Sequence, residues 1–157
     1  MKAILLSALL TINASLLFAD AVMLKKGTPV KLKILETISS ETAKIGDLVN
    51  FEVAEDVKVD DSIVIPVGNK ARGFVARAES RKLFGAGALN VYVHSVVGPG
   101  GLLVPLYGLS EATTAGADTQ IAQGSELTAH VDVDVPVEVS LADNHVTACH
   151  LYSEPVA

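Results

Sequence analysis

Apart from the opening apolar run, apolar side chains recur at every second position rather than every third or fourth, the pattern of strands with one buried and one wet face. Val30, Leu32 and Ile34 alternate with Lys31 and Lys33, and Val49, Phe51 and Val53 alternate with Asn50, Glu52 and Ala54, the phase carrying on through Val57 and Val59. Ile63-Val64-Ile65 before Pro66 reads as a short strand covered on both sides. Ala71, Gly73 and Val75 line one face of a further strand and Leu89, Val91 and Val93 one face of the next, which a tight turn at Gly98-Pro99-Gly100-Gly101 returns as a hairpin through 102–106. The longest alternation sets Ala129, Val131, Val133, Val135, Val137, Val139 and Leu141 against His130, Asp132, Asp134, Pro136, Glu138 and Ser140. Proline cannot donate to a ladder, so this stretch belongs at a sheet edge or bends into two strands at Pro136. Asp143-Asn144 marks a last turn before a terminal strand over 146–152.

Turn residues punctuate these segments: Gly46-Asp47, Asp60-Asp61 and Gly68-Asn69. Residues 77–87, with Arg81, Lys82 and two glycines around Leu83-Phe84, read as an exposed loop, and 110–120, rich in Thr, Ala, Gly and Ser, as a flexible link. Three segments share one spacing around Gly27, Gly68 and Gly124, each with an apolar residue three before the glycine and small or apolar residues three, five and seven after it. A strand end, a turn in which glycine takes positive φ and a new strand at fixed offset produce that spacing. With Gly46, these glycines are the predicted structural turns. The class is all-β: one small domain forming a β-barrel, with a two-sheet sandwich as the alternative. A core over 24–108, the link 110–120 and C-terminal strands over 121–152 make up that domain.

The opening run differs in kind. Met1-Lys2 precedes apolar residues through Phe18, and Ala19-Asp20-Ala21 supplies small residues where signal peptidase acts. This predicts a secretory signal peptide over 1–21, cleaved after Ala21 or after Ala19, with no cysteine following for lipid attachment. The run is too short for a retained span, which needs about 20 apolar residues. The expected location is therefore periplasmic or extracellular, without stable membrane insertion.

The 157-residue chain carries a formal charge of −6, which disfavours polyanions such as nucleic acid. Its single cysteine, Cys149, allows no intrachain disulfide and reads as a small apolar residue, or else as an intermolecular bridge or reactive thiol. Nucleophile-elbow, zinc-protease and phosphate-loop motifs are missing, and Gly85-Ala86-Gly87 precedes a strand rather than a helix, so it is loop glycine and not a phosphate cradle. His130, Asp132 and Asp134 share one strand face at about 6.6 Å per step, a candidate divalent-cation site for Ca²⁺ or Zn²⁺ if the strand bends; the same residues also suit a solvated face that discourages edge aggregation. His145, Cys149 and His150 offer two nitrogens and a sulfur without an evident fourth ligand. Arg72, Arg77, Arg81 and Lys82 form the one basic concentration, a candidate binding patch for an anionic glycan or acidic partner, or a loop neutralised by Glu79.

The succession Gly27-Thr28-Pro29-Val30, Ser39-Ser40, Ile45-Gly46-Asp47, Val57, Ile65-Pro66-Val67-Gly68 and Gly73 resembles small exported bacterial domains of unassigned function. More distantly it resembles the C-terminal β-barrel of the channel scaffold subunit of conjugative type IV secretion systems. The resemblance spans roughly residues 24–108 and departs from the channel family in having no apolar helical insertion. It implies a β-barrel used for protein contacts in the envelope. Taken together, the expected function is a non-catalytic binding or structural module of the cell envelope, with an envelope protein or glycan as partner and homo-oligomerisation open. A subunit of a secretion or conjugation apparatus is the alternative. A small hydrolase using His130 or His145 with Asp132 or Asp134 is the second.

Overall fold

The computed structural model describes residues 20–80, 85–114 and 117–139. Among these, the strands are β1 (Asp20–Leu24), β2 (Pro29–Ile34), β3 (Ile38–Ser39), β4 (Leu48–Val53), β5 (Val57–Val59), β6 (Ser62–Ile65), β7 (Lys70–Glu79), β8 (Gly87–Val97), β9 (Leu103–Thr114), β10 (Gln120–Ile121), β11 (Glu126–Val131) and β12 (Val135–Val139), with a 3-10 turn at Pro99–Gly101. Six of them close into an antiparallel barrel in the order β11-β2-β4-β7-β8-β9. The sheet thus wraps onto itself rather than splitting into a sandwich. Closure rests on two residue pairs between β9 and β11, Tyr107 with His130 and Leu106 with Val131.

The alternating pattern is borne out side chain by side chain. Val30, Leu32 and Ile34 of β2, Val49, Phe51 and Val53 of β4, Ala71 and Val75 of β7 and Leu89, Val91 and Val93 of β8 are all buried in one continuous core. Two ribbons cover one end of the barrel. β1 pairs with β12 and β5 with β6, placing Leu24, Val57, Val64, Ile65, Val135 and Val137 in the interior. The β3–β10 pair covers the other end with Ile38 and Ile121, where Ser40 and Thr119 are buried and bonded to each other through backbone and side chain.

The glycine spacing has a concrete cause. Gly27, Gly46, Gly68 and Gly124 have φ of 86°, 93°, 88° and 83°, and each occupies the third place of a turn whose fourth residue bonds back to the first. That is the geometry of a type II turn. Each of the four N–H groups also donates to a neighbouring strand, reaching Val131, Val75, Val53 and Ile34 at 2.8–2.9 Å. Every one of these turns opens a barrel strand two residues later. Asp60 and Asp61, at φ of 49° and 67°, form the two-residue reversal between β5 and β6, both positive as the right-handed hairpin twist favours.

Several expectations are corrected. The 77–87 loop is shorter, because β7 continues to Glu79 after a bulge at Ala76 that returns Ala78 to the inner face. The link expected from residue 110 starts later, because β9 extends to Thr114 in register with β8; its Ser, Ala and Thr hide a strand because the wall there is only partly buried. The strand expected over 129–141 divides after Val131, where the Asp132 N–H donates to the Pro105 carbonyl and the chain turns before β12. Pro136 lies in the two-stranded ribbon opposite Met23, a site that spares the barrel ladders. Ile63, expected to be covered, is 42% exposed. The terminal strand expected over 146–152 lies outside the described residues, as does the apolar leader through residue 19.

Candidate interaction surface

The residues singled out for cation binding do not converge. His130 ends its ring stacked on Tyr107, with centroids 5.4 Å apart. Asp134 accepts the backbone N–H of Lys26 at 2.7 Å, and Asp132 faces the Lys26 ammonium at 3.7 Å. The split of the strand after Val131 takes the two carboxylates off the His130 face and gives them to the β1–β2 turn. Among the described residues no three His, Cys, Asp or Glu side chains are grouped so as to hold a metal ion. His145, Cys149 and His150 lie outside the described residues.

Of the basic group, the two described members stand apart. Arg72 projects outward from β7, and Phe74 and the Ala76 bulge separate it from Arg77. Arg77 is engaged by Glu79 through Nε and a terminal nitrogen at 3.0 and 2.9 Å, and these bonds hold its pKa above the usual arginine value. Glu79 thus neutralises Arg77. Arg81 and Lys82 lie outside the described residues.

Outside the barrel, the strands present side chains in rows that run across the sheet, and the rows differ in chemistry. One row is Glu126, Lys33, Glu52 and Lys70, paired across β11, β2, β4 and β7 with alternating charge. Glu52 accepts from Lys33 at 3.0 Å and from Lys70 at 2.9 Å; these bonds, that of Lys70 first, hold its carboxyl below the usual glutamate range. Asn50, Arg72 and Ser95 form a polar row beyond it. Next in the same direction comes a row without charge: Leu48 pairs with Phe74, Phe74 with Tyr92 and Tyr92 with Leu109 across β4, β7, β8 and β9.

This apolar row is open to solvent at its two ends, with Phe74 and Tyr92 half-buried between them. Leu48 is 74% exposed and Leu109 50%. The rings of Phe74 and Tyr92 lie 5.5 Å apart, and His94 packs edge-on against Phe74 at 6.4 Å with Nδ1 2.9 Å from the Arg72 carbonyl oxygen. Ile45, in the turn that leads into Leu48, and Tyr107, one outward position along β9 from Leu109, continue the apolar character. Sequence reasoning passed over this surface because it followed only the inward phase of each strand. The available signal was Phe74 between Gly73 and Val75 and Tyr92 between Val91 and Val93, large rings at outward positions where a solvated face would carry polar groups.

No helix of the described residues is long and apolar enough to cross a membrane. No family model matches the chain, and no curated protein matches it. Among solved structures it is distantly similar to ComB10 of the Com Type IV secretion system of Helicobacter pylori, at 13% identity and a TM-score of 0.47, over 75% of this chain and 92% of that one.

Proposed function

We propose that this domain is a non-catalytic binding or structural module of the bacterial cell envelope, carried out of the cytoplasm by its leader and acting through protein contacts on its outer face. The observation that carries this reading is the Leu48–Phe74–Tyr92–Leu109 row. Four large apolar side chains aligned across adjacent strands, the outer two at least half exposed and the two rings between them half-buried, form a patch of the kind that marks interaction sites, on the order of a few hundred Å². Such a patch is smaller than the roughly 800 Å² that each partner of a stable folded pair contributes. A compact partner element therefore suits it better than a self-associating face. Arg72, in the adjoining polar row, offers a partner protein or an envelope glycan a charge to pair with.

In-cell crosslinking with mass spectrometry tests this reading on the wild type and on a Leu48→Ser, Leu109→Ser double variant. Both side chains are at least half exposed, so circular dichroism and thermal stability should change little. Loss of the wild-type adducts in the folded variant is expected, and an unchanged adduct pattern refutes the role of the row. Light scattering on the purified mature protein separates assembly from solitary action, since a stable ring-sized oligomer in the absence of partners would favour an apparatus subunit instead.

A further inference from the structure

The barrel wall is incomplete next to the apolar row. β9 pairs with β8 along its whole length, but with β11 only at Leu106 and Tyr107. Pro105 accepts the Asp132 N–H from that same side. Backbone groups alternate sides along a strand, so those of Leu109, Glu111 and Thr113 point toward β11. On β11 the Ser125 carbonyl bonds to β2, which by the same alternation turns the backbone groups of Glu126 and Thr128 toward β9. None of the backbone bonds beyond the regular ladders involves these five residues among the described residues. Beyond Tyr107 and His130 the two strand edges thus run on without ladder pairing to each other, leaving a gap in the ladder.

The gap has a cause in the sequence. Continued by two and four residues, the register of His130 with Tyr107 would bring Thr128 opposite Leu109 and Glu126 opposite Glu111. Two glutamates directly across a ladder repel. The cations whose fields reach them are bonded to other carboxylates, Arg77 to Glu79 at 2.9 Å, Lys31 to Glu55 at 2.5 Å and Lys33, opposite Glu126, to Glu52 at 3.0 Å, and Glu111 accepts from the Asn90 side-chain amide at 3.2 Å. At Gly108 the two strands still lie close, and a Cβ there would come within 2.7 Å of the Ala129 Cβ. Beyond it the inward side chains lose their cover: Ser110, Ala112 and Leu127 are half-buried, whereas Leu106, Ala129 and Val131 just below are buried.

We propose that this gap accepts an extended segment of a partner protein, bonded along the free edge of β9, with a lysine or arginine between Glu111 and Glu126 and apolar residues over Ala112, Leu127 and Leu109. The proposal rests on the reading of the domain as a protein-contact module and names the form its partner takes. Main-chain bonds to an exposed edge supply affinity in such strand addition, and alternate side chains supply specificity. The apolar row ends at Leu109, on the edge itself, so an added strand extends it by one residue. The occupant's charge follows from the two carboxylates. Residues 140–157 contain no lysine or arginine, so a segment of another protein fits better than they do.

The probe is a short capped peptide of alternating valine and lysine, fluorescently labelled and titrated against the purified chain, with a valine-glutamate counterpart as control. Saturable binding of the lysine peptide alone is expected. Thr113→Pro removes an edge N–H without touching the β8 ladder and should weaken binding by about tenfold or more. Glu111→Lys, which places a cation on the edge where the proposal needs a carboxylate, should abolish binding. Thermal unfolding of both variants confirms that they fold, and if Thr113→Pro does not, Glu111→Lys alone decides. Equal binding of the two peptides, no binding of either, or full affinity in Glu111→Lys overturns the proposal. A photocrosslinker at Leu48 distinguishes this from failure of the broader reading: adducts there without peptide binding leave the protein-contact role standing and remove the strand-addition site. Adducts at Leu48 of twice the chain mass would identify a second copy as the occupant and overturn the proposal as well.

Discussion

Replacing Gly73 by alanine tests the packing argument most directly. Gly73 is buried on the inner face of β7, beside the bulge at His94 where the β7–β8 register shifts. A Cβ there would lie 2.1 Å from the Tyr92 carbonyl oxygen and 2.9 Å from Cε2 of Phe51. Neither neighbour yields easily, since the carbonyl belongs to a strand held on both sides and Phe51 is fully buried. Overpacking of this kind costs about 3 kcal/mol at the upper end of its ordinary range. The lost freedom of glycine in the unfolded chain returns about 0.7 kcal/mol. The net destabilisation is therefore about 2 kcal/mol, or roughly 8 °C in Tm for a domain of this size. Gly124→Ala is the matched comparison: it has φ of 83° and nothing within 4 Å of the new methyl, so only backbone strain of about 1–2 kcal/mol applies, offset by the same unfolded-state return, for a net loss of about 1 kcal/mol or less. Thermal and urea unfolding followed by circular dichroism should rank Gly73→Ala below Gly124→Ala, and both below wild type. A Gly73→Ala protein within about 0.5 kcal/mol of wild type, or a reversed ranking, refutes the close approach of β7 and β8.

Acid should loosen the charged row first. Because the folded state holds Glu52 below its ordinary value of 4.5, its contribution to stability is complete above that value and is lost as pH falls through the depressed one; a Glu52→Gln variant should show a flatter acid limb in urea midpoints, and an unchanged limb would remove Glu52 from the account. Asp134→Ala deletes the acceptor of the Lys26 N–H and should cost about 1 kcal/mol in the same assay, with no loss meaning that the turn holds without it. Adding Ca²⁺ or Zn²⁺ should leave Tm unchanged as far as His130, Asp132 and Asp134 are concerned, and a rise abolished by His130→Ala would restore the cation site. Intact mass of the exported protein should begin at Asp20 or Val22; the first keeps all five β1–β12 pairs and the second removes Asp20 and Ala21 from them, while a product retaining the leader contradicts export.

Much of this architecture was legible along the chain because period-two alternation is local: Lys31 and Lys33 between Val30, Leu32 and Ile34 determine which side of β2 faces inward whatever its neighbours are. Turn glycines are equally local, since positive φ at Gly27, Gly68 and Gly124 restricts the residue type at that place. Partner strands are not local, and that is where sequence reasoning failed. Residues 110–114 lack apolar periodicity because their wall is open on one side, and the alternation through 129–141 ran unbroken across a real break, since β11 and β12 keep the same period on either side of the Asp132 turn. The dispersal of His130, Asp132 and Asp134 follows from that break. Only register across the sheet aligns Leu48 with Phe74, Tyr92 and Leu109, and only closure of the barrel sets β9 beside β11. Side-chain alternation along one strand sets inside against outside, whereas the surface another molecule meets is composed across strands far apart in the chain.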